Sequence, residues 1–175
     1  MNLIKEIQEE QILLVLIPKS EYTKAVYAIM ADLEKIGNKI CYIGLNKPYN
    51  ALLKDFQKYK INVEKFFFID ALTKSSKKAS SIKNCLFVSS PYAFTELAIS
   101  YLKAIKEKCD SMALDSISTL SIYGKGNSAI KLSHDLLTKS RSSNIKTILL
   151  ALQEDKDLEL IKQLYLFVDK IVEYN

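Results

Sequence analysis

The chain has 175 residues, of which 49% are apolar and 26% are charged, and its formal net charge is +5. This size and this balance of residues are typical of one globular domain with a substantial core. No apolar run approaches the roughly 20 residues that a membrane-spanning helix needs, and residues 1–10 alternate charged and apolar side chains, unlike a secretory signal peptide. We therefore expect a single domain over residues 1–175, located in the cytoplasm and not associated with a membrane.

The first predicted strand is the apolar run Ile12–Ile17, which leads into a loop without glycine and then into a helix over residues 21–36. Ser20 is placed to cap this helix and Gly37 to end it. A second strand is predicted over residues 39–45. This strand–loop–helix–strand layout is typical of a phosphate-binding loop.

The rest of the chain continues the alternation of short β-rich runs and longer amphipathic segments. Pro48 begins the next predicted helix, and Ser90 is placed to cap a later one that starts at Pro91. The further helices are predicted over residues 48–59, 91–108, 128–142 and 157–164. The further strands are predicted over residues 66–69, 85–88, 111–114, 147–152 and 168–174. Such alternation predicts βαβ units and a mostly parallel sheet with helices on both faces.

Polar side chains follow several of these strands. They are Asn46, Asp70, Ser89, Asp115 and Ser116. Parallel sheets bind ligands outside the carboxyl ends of their strands, so these residues are candidates for a site, although polar residues are common wherever strands stop.

The positive charge is carried by 24 lysines and one arginine, and most of the lysines are scattered over helix faces. One denser basic stretch contains Lys74, Lys77, Lys78 and Lys83. This stretch is a candidate contact for a phosphate backbone, and a solvated loop is the simpler interpretation. Cys41, Cys85 and Cys109 are too widely spaced for a metal site or a disulfide framework, and the first two lie in apolar strands as core residues.

Three stretches carry a family resemblance. Residues 18–23 read Pro-Lys-Ser-Glu-Tyr-Thr between a strand and a helix, residues 111–116 form an apolar strand followed by Asp115 and Ser116, and residues 164–174 close the chain around Val-Asp-Lys-Ile-Val. In this order and at this spacing they resemble the RecA/KaiC-type P-loop ATPase domain over nearly the whole chain. The resemblance implies an α/β fold, a three-layer α/β/α sandwich with a mostly parallel central sheet.

The phosphate-binding motif of that family, Pro-Gly-Ser-Gly-Lys-Thr, is altered here. Aligned on Gly37 and Tyr42, the matching positions are Pro18, Ser20 and Thr23. The positions of the two glycines and the lysine are taken by Lys19, Glu21 and Tyr22. In the resemblance these six residues, together with Asn46, Asp115 and Ser116, are the vestigial positions of a nucleotide site.

These departures matter physically. Glycines let backbone N–H groups converge on phosphate oxygens, and the lysine neutralises their charge. Glu21 instead places a carboxylate where the phosphate would lie. The repulsion between two like charges 4 Å apart is about 4 kcal/mol at an effective dielectric near 20. Tyr22 supplies no cation, and Asn46 replaces the acidic residue that is expected to activate water in the family, a role that an amide cannot take.

Individual residues keep alternative interpretations. Asp115 and Thr23 are candidate Mg²⁺ contacts, but Asp115 also suits a cap after its strand and Thr23 a hydroxyl at a helix start. Lys19 is a candidate substitute for the lost lysine. His134, the only histidine, has no partner nucleophile in the sequence and is interpreted as an ordinary helix residue.

Three functions follow from this pattern. The first is a non-catalytic RecA/KaiC-like regulatory or scaffolding subunit, with no catalytic residue, metal or cofactor, that contacts a protein partner or forms a homo-oligomer. The second is a divergent nucleotide-binding protein or ATPase that uses ATP and Mg²⁺ through Thr23 and Asp115. The third is ATP-independent nucleic-acid binding through the basic stretch.

Overall fold

The computed structural model describes residues 3–76, 82–125 and 127–174. Within them, seven strands form one sheet in the order β4-β3-β2-β5-β6-β1-β7, and every neighbouring pair is parallel. The strands are β1 Ile12–Ile17, β2 Ile40–Gly44, β3 Phe66–Asp70, β4 Cys85–Phe87, β5 Ser111–Asp115, β6 Lys146–Leu152 and β7 Lys170–Glu173.

Among the described residues, one helix precedes the first strand, and the others lie between successive strands. The helices are α1 Leu3–Glu9, α2 Tyr22–Ile36, α3 Tyr49–Lys58, α4 Thr73–Ser76, α5 Phe94–Lys106, α6 Ile117–Tyr123, α7 Ser128–Ser142 and α8 Glu159–Leu164, with 3-10 turns at Val63–Lys65 and Gln153–Asp155. No helix in the described ranges combines the length and the apolar character needed to cross a membrane.

The helices cover both faces of the sheet, which confirms the predicted three-layer α/β/α fold. Helices α1, α2 and α3 pack on one face, and α5, α6, α7 and α8 pack on the other. Strand β1 shows why its sequence is apolar throughout: Leu14 and Leu16 face one helical layer, and Leu13 and Val15 face the other. The sheet is entirely parallel, where the sequence predicted a mostly parallel one.

Most predicted elements are present with bounds shifted by a few residues, and α7 has the predicted bounds. Two predicted caps are wrong. Glu21, not Ser20, precedes α2, because residues 18–21 form a turn in which the Glu21 N–H donates to the Pro18 carbonyl at 2.9 Å. Helix α5 begins at Phe94 and not at Pro91, because residues 90–93 form another turn.

Gly37 ends α2 as predicted, and close approach explains why glycine is needed there. A β-carbon at this position would lie 3.0 Å from Ile40 Cγ1 and 3.1 Å from Ser111 Oγ. These contacts place the end of α2 directly against the starts of β2 and β5.

The three cysteines are buried, which confirms the predicted core role of Cys41 and Cys85.

The closing segment of the chain is fastened to the first strand at the amino edge of the sheet. Asp169 accepts hydrogen bonds from the backbone N–H groups of Gln11 and Ile12, at 3.1 and 2.8 Å. The guanidinium of Arg141, the only arginine, donates to both carboxylate oxygens of Asp169, at 3.1 and 2.6 Å. This fork lowers the pKa of Asp169.

Candidate functional site

The candidate site lies at the carboxyl edge of the sheet, around the last residue of β5. Asp115 is 5% exposed and accepts three side-chain hydrogen bonds. The Tyr22 hydroxyl donates at 2.7 Å, the Tyr42 hydroxyl at 2.5 Å, and the Asn46 amide nitrogen at 2.5 Å. The donors come from the start of α2, from β2 and from the loop after β2, so one carboxylate joins three separate segments.

Burial dominates the electrostatics of this cluster. Loss of water raises the pKa of Asp115, and the hydrogen bonds from Tyr42, Tyr22 and Asn46 oppose that rise only in part. Burial and the neighbouring carboxyl also raise the pKa of both Tyr22 and Tyr42. The two phenols are therefore neutral donors at physiological pH.

A second layer of contacts fixes the donors. Thr119 donates its hydroxyl to the Asn46 side-chain oxygen, which orients the amide nitrogen toward Asp115. Ser116 caps α6 by accepting the Thr119 N–H at 3.1 Å. The peptide bond between Asp115 and Ser116 is cis. Through its bond to Thr119, Ser116 stabilises the start of α6, and Thr119 in turn contacts Asn46.

The loop before Tyr22 is a closed turn. The Glu21 N–H donates to the Pro18 carbonyl at 2.9 Å, and the Tyr22 N–H donates to the Lys19 carbonyl at 3.4 Å. The Lys19 N–H donates to both carboxylate oxygens of Glu154, at 3.1 and 3.2 Å. These three backbone donors therefore already have acceptors within the chain.

A charged pair borders the same region. The Lys47 ammonium lies 2.7 Å from Asp55 Oδ2, and the Tyr27 hydroxyl donates to the same oxygen at 2.6 Å. Partial burial raises the pKa of Asp55, but the hydrogen bonds from Lys47 and Tyr27 lower it overall. Lys47 is thus a paired cation at the rim of the site.

A small pocket lies between these groups. Its volume is about 190 Å³, below the roughly 300–1,000 Å³ that is usual for small-molecule sites. It is lined by Tyr22, Thr23, Val26, Tyr27, Asn46, Lys47 and Asp115. Asp115 is the only carboxylate in this lining.

The architecture around the pocket is similar to a known structure. A crystal structure of a KaiC-like protein from the hyperthermophilic archaeon Pyrococcus horikoshii OT3 superposes with a TM-score of 0.65. The chain has a KaiC/RecA-like fold. The match covers 93% of this chain and 70% of that protein at 13% sequence identity, so the likeness concerns the fold alone. No protein-family model and no curated protein matches the sequence.

Within the KaiC/RecA-like fold, several predicted residues come together and others do not. Tyr22, Asn46 and Asp115 are in direct contact, and Thr23 lines the same pocket. The side chains of Lys19, Ser20 and Glu21 are exposed on the turn.

The predicted basic stretch is only partly within the structure. Lys74 and Lys83 are exposed, and Lys77 and Lys78 lie outside the described residues. His134 is exposed on α7, where its ring contacts Phe167 at 4.7 Å, in agreement with its interpretation as an ordinary helix residue.

Asp70 and Ser89, two other polar residues at strand ends, do not join the site. Asp70 is buried and accepts the N–H groups of Tyr49 and Leu72, both at 2.7 Å, so it organises the loops beside it. Ser89 donates its N–H and hydroxyl to Glu96 at the start of α5.

Several participants with specific hydrogen bonds were not predicted as site residues. They include Tyr27, Tyr42, Thr119 and Glu154. Tyr42 carried a usable signal, because a tyrosine inside a buried strand needs a hydroxyl partner. The sequence around Glu154 carries no such signal, since its partner is 135 residues away.

Proposed function

We propose that this chain is a KaiC/RecA-like domain that does not hydrolyse ATP and acts as a regulatory or scaffolding subunit. One observation carries the proposal: the Tyr22 hydroxyl, at the position of the motif's lysine, donates a hydrogen bond to Asp115 at 2.7 Å. Tyr22 therefore brings a neutral phenol to the aspartate where the family motif would bring a cation to a phosphate.

The groups around Asp115 do not fit a magnesium ion. A magnesium site needs oxygen lone pairs in near-octahedral geometry, usually with one or two carboxylates. Here two hydroxyl groups and an amide nitrogen direct hydrogens at the carboxylate. With the Lys47 ammonium at the rim and no second carboxylate in the lining, this donor set disfavours a divalent cation.

Three backbone N–H groups of the loop are unavailable to a phosphate group. A phosphate cradle needs several free backbone N–H groups that converge on one anion. The N–H groups of Glu21 and Tyr22 are used within the turn, and that of Lys19 binds the Glu154 carboxylate. Glu154 thus acts as an internal anion on the loop, and the pocket of about 190 Å³ is small for a nucleotide.

The side chain of Asn46, at the position of the water-activating residue, already has hydrogen-bond partners. Asn46 donates to Asp115 and accepts from Thr119, so both ends of its amide have partners within the protein. An amide lacks the basicity that a general base needs. The fold is retained while the motif's glycines, its lysine and the water-activating acid are replaced, which favours a role in protein contact through a partner or a second copy.

The direct test is titration of the purified chain with Mg·ATP at millimolar concentration, together with an assay for released phosphate. We expect neither binding heat above dilution nor turnover. A matched variant, Tyr22→Phe, keeps the ring and removes the bond to Asp115, and we expect it to remain inactive because the loop donors stay engaged. Tight Mg·ATP binding by the natural chain would reject the proposal.

A second candidate is a divergent nucleotide-binding protein. The observation that favours it is the pocket itself, because Thr23 and Asp115 line the same space. In that case ATP turnover should be measurable and should disappear in Asp115→Ala. Absence of turnover in the natural chain would reject this candidate.

A further inference from the structure

Exposed apolar side chains are distributed unequally between the two helical layers. Among the described residues, α1, α2 and α3 expose no large apolar side chain, whereas the layer of α5 to α8 and its adjoining loops expose many. They are Tyr92, Ile99, Leu102, Ile122, Leu158, Tyr165 and Leu166. Exposed apolar side chains that cluster on one side of a protein are typical of an interaction surface.

Part of this layer forms an aromatic groove of about 610 Å³, which we call the Tyr92 groove. Its lining consists of Tyr92, Phe94, Tyr123, Lys125 and Ser128. The rings of Tyr92 and Tyr123 meet edge to face at 4.9 Å, and Tyr92 is 61% exposed. Lys125 is exposed and forms no ion pair with the described residues, so the groove combines apolar walls with one available cation.

The same layer carries a segment of complementary chemistry, the acidic turn of residues 154–159. Leu158 is 40% exposed, and its neighbours Asp157 and Glu159 are both exposed. The Asp157 side chain is 80% exposed and lies 3.6 Å from Lys162, a pair too exposed to hold the carboxylate firmly. Four carboxylates and one lysine give the turn a net negative charge around one apolar side chain.

The groove and the turn are carried by neighbouring helices of the same layer. Tyr123 is the last residue of α6, Leu158 immediately precedes α8, and α6 packs against α8. Two complementary patches on one side of a molecule allow a two-fold arrangement in which each copy supplies both patches.

We propose that two copies of this chain form a symmetric dimer in which the acidic turn of each copy docks in the Tyr92 groove of the other. Leu158 packs against the joined rings of Tyr92 and Tyr123, and Asp157 pairs with Lys125. This inference deepens the proposed scaffolding function, on which it rests, by naming a second copy as the partner.

The test measures the mass of the natural chain in solution by sedimentation velocity at micromolar concentration. We expect the mass of two chains. Lys125→Glu and Asp157→Lys should each weaken the dimer at least about 100-fold, because each places two like-charge pairs in a two-fold interface. Lys54→Glu, an exposed reversal on α3 in the other layer, is the matched control and should leave the mass unchanged.

Charge exchange separates a specific contact from general damage. A mixture of the Lys125→Glu and Asp157→Lys chains should recover the dimer, and so should one chain that carries both substitutions, because every pair then joins opposite charges. A natural chain that sediments as one copy, reversals without effect, or failure of the mixture to recover the dimer would each overturn the proposal. The titration with Mg·ATP tests the proposed function separately, since nucleotide binding leaves the mass measurement interpretable.

Discussion

Asp115 and Asp169 both follow apolar segments, in the stretches 111–116 and 164–174 that carry the family resemblance. They nevertheless lie at opposite edges of the sheet, in opposite environments. Asp169 is at the amino edge, where a guanidinium fork and two backbone N–H groups lower its pKa. Asp115 is at the carboxyl edge, where burial among neutral donors raises its pKa. One carboxylate is matched by a full charge, and the other is surrounded by dipoles.

The difference shows how the two edges are used. At the amino edge, Asp169 joins the segment before β7 to α7 through Arg141 and to the start of β1 through two backbone N–H groups. At the carboxyl edge, three neutral side chains surround the Asp115 carboxylate. Substitutions that remove one partner at a time should therefore affect the two aspartates differently.

The largest expected effect is that of Asp115→Ala. It leaves the hydroxyl groups of Tyr22 and Tyr42 buried without their acceptor, so we expect the free energy of unfolding to fall by about 3 kcal/mol. Urea denaturation measures this change. Asp115→Asn keeps one acceptor oxygen and should cost less, and equal losses in the two variants would show that the hydroxyl bonds contribute little.

A smaller decrease in the free energy of unfolding is expected from Arg141→Ala. The fork to Asp169 is partly exposed, so solvent screening limits the expected loss to about 1.5 kcal/mol. Arg141→Lys retains the charge but not the two parallel bonds, and should recover only part of the loss. Full recovery in the lysine variant would mean that charge alone, and not the fork, matters at this edge.

Tyr22→Phe should reduce the unfolding free energy by about 1 kcal/mol, the usual net contribution of one hydrogen bond. Asp115 retains its bonds from Tyr42 and Asn46, which limits the loss. Tyr165→Phe is the control, because this ring lies on the surface after α8 and its change should fall within about 0.5 kcal/mol. The two variants would lose equal stability only if the Tyr22 hydroxyl bond contributed nothing.

The smallest expected effect is on the pH dependence of stability. Because the pKa of Asp169 is lowered, its contribution is present above the ordinary carboxyl pKa of about 4 and is lost as the pH falls through its folded-state pKa. The pKa of Asp115 is raised, so its contribution is present below about pH 4 and is lost as the pH rises through its folded-state pKa.

Asp169→Asn should therefore flatten the loss of stability on acidification, and Asp115→Asn should steepen it. Unfolding measured between about pH 3 and 7 compares the two variants with the natural chain, and each difference should stay below about 1 kcal/mol. If both variants changed the pH dependence of the unfolding free energy in the same direction, the contrast between Asp115 and Asp169 would be contradicted.

The fold was predictable because its signals are local. The apolar run of β1 and the periodic pattern of α7 fix those elements without reference to distant residues. Helix α6 was missed because it has only seven residues, although Ser116 and Thr119 at its start are a recognisable cap. The two wrong helix starts also have local causes, since turns at residues 18–21 and 90–93 took the place of the expected caps.

The site was only partly predictable. Asp115 and Asn46 follow strands and Tyr22 falls in a motif, so position alone singled them out. The role of Tyr42 depends on strand register: it pairs with Ala113 of β5, two residues before Asp115, and its hydroxyl reaches that carboxylate across the two strands. The Glu154 contact depends on how β1 and β6 align, which no local pattern specifies.

The two outermost strands of the sheet, β4 and β7, limit how another protein could bind. The outermost strands are short, three residues in β4 and four in β7, and Lys170 and Glu173 place opposite charges along the latter. Short, charged outer strands are poor templates for adding a foreign strand. A protein that bound this domain would therefore be expected to contact side chains on the helices rather than the backbone of the sheet.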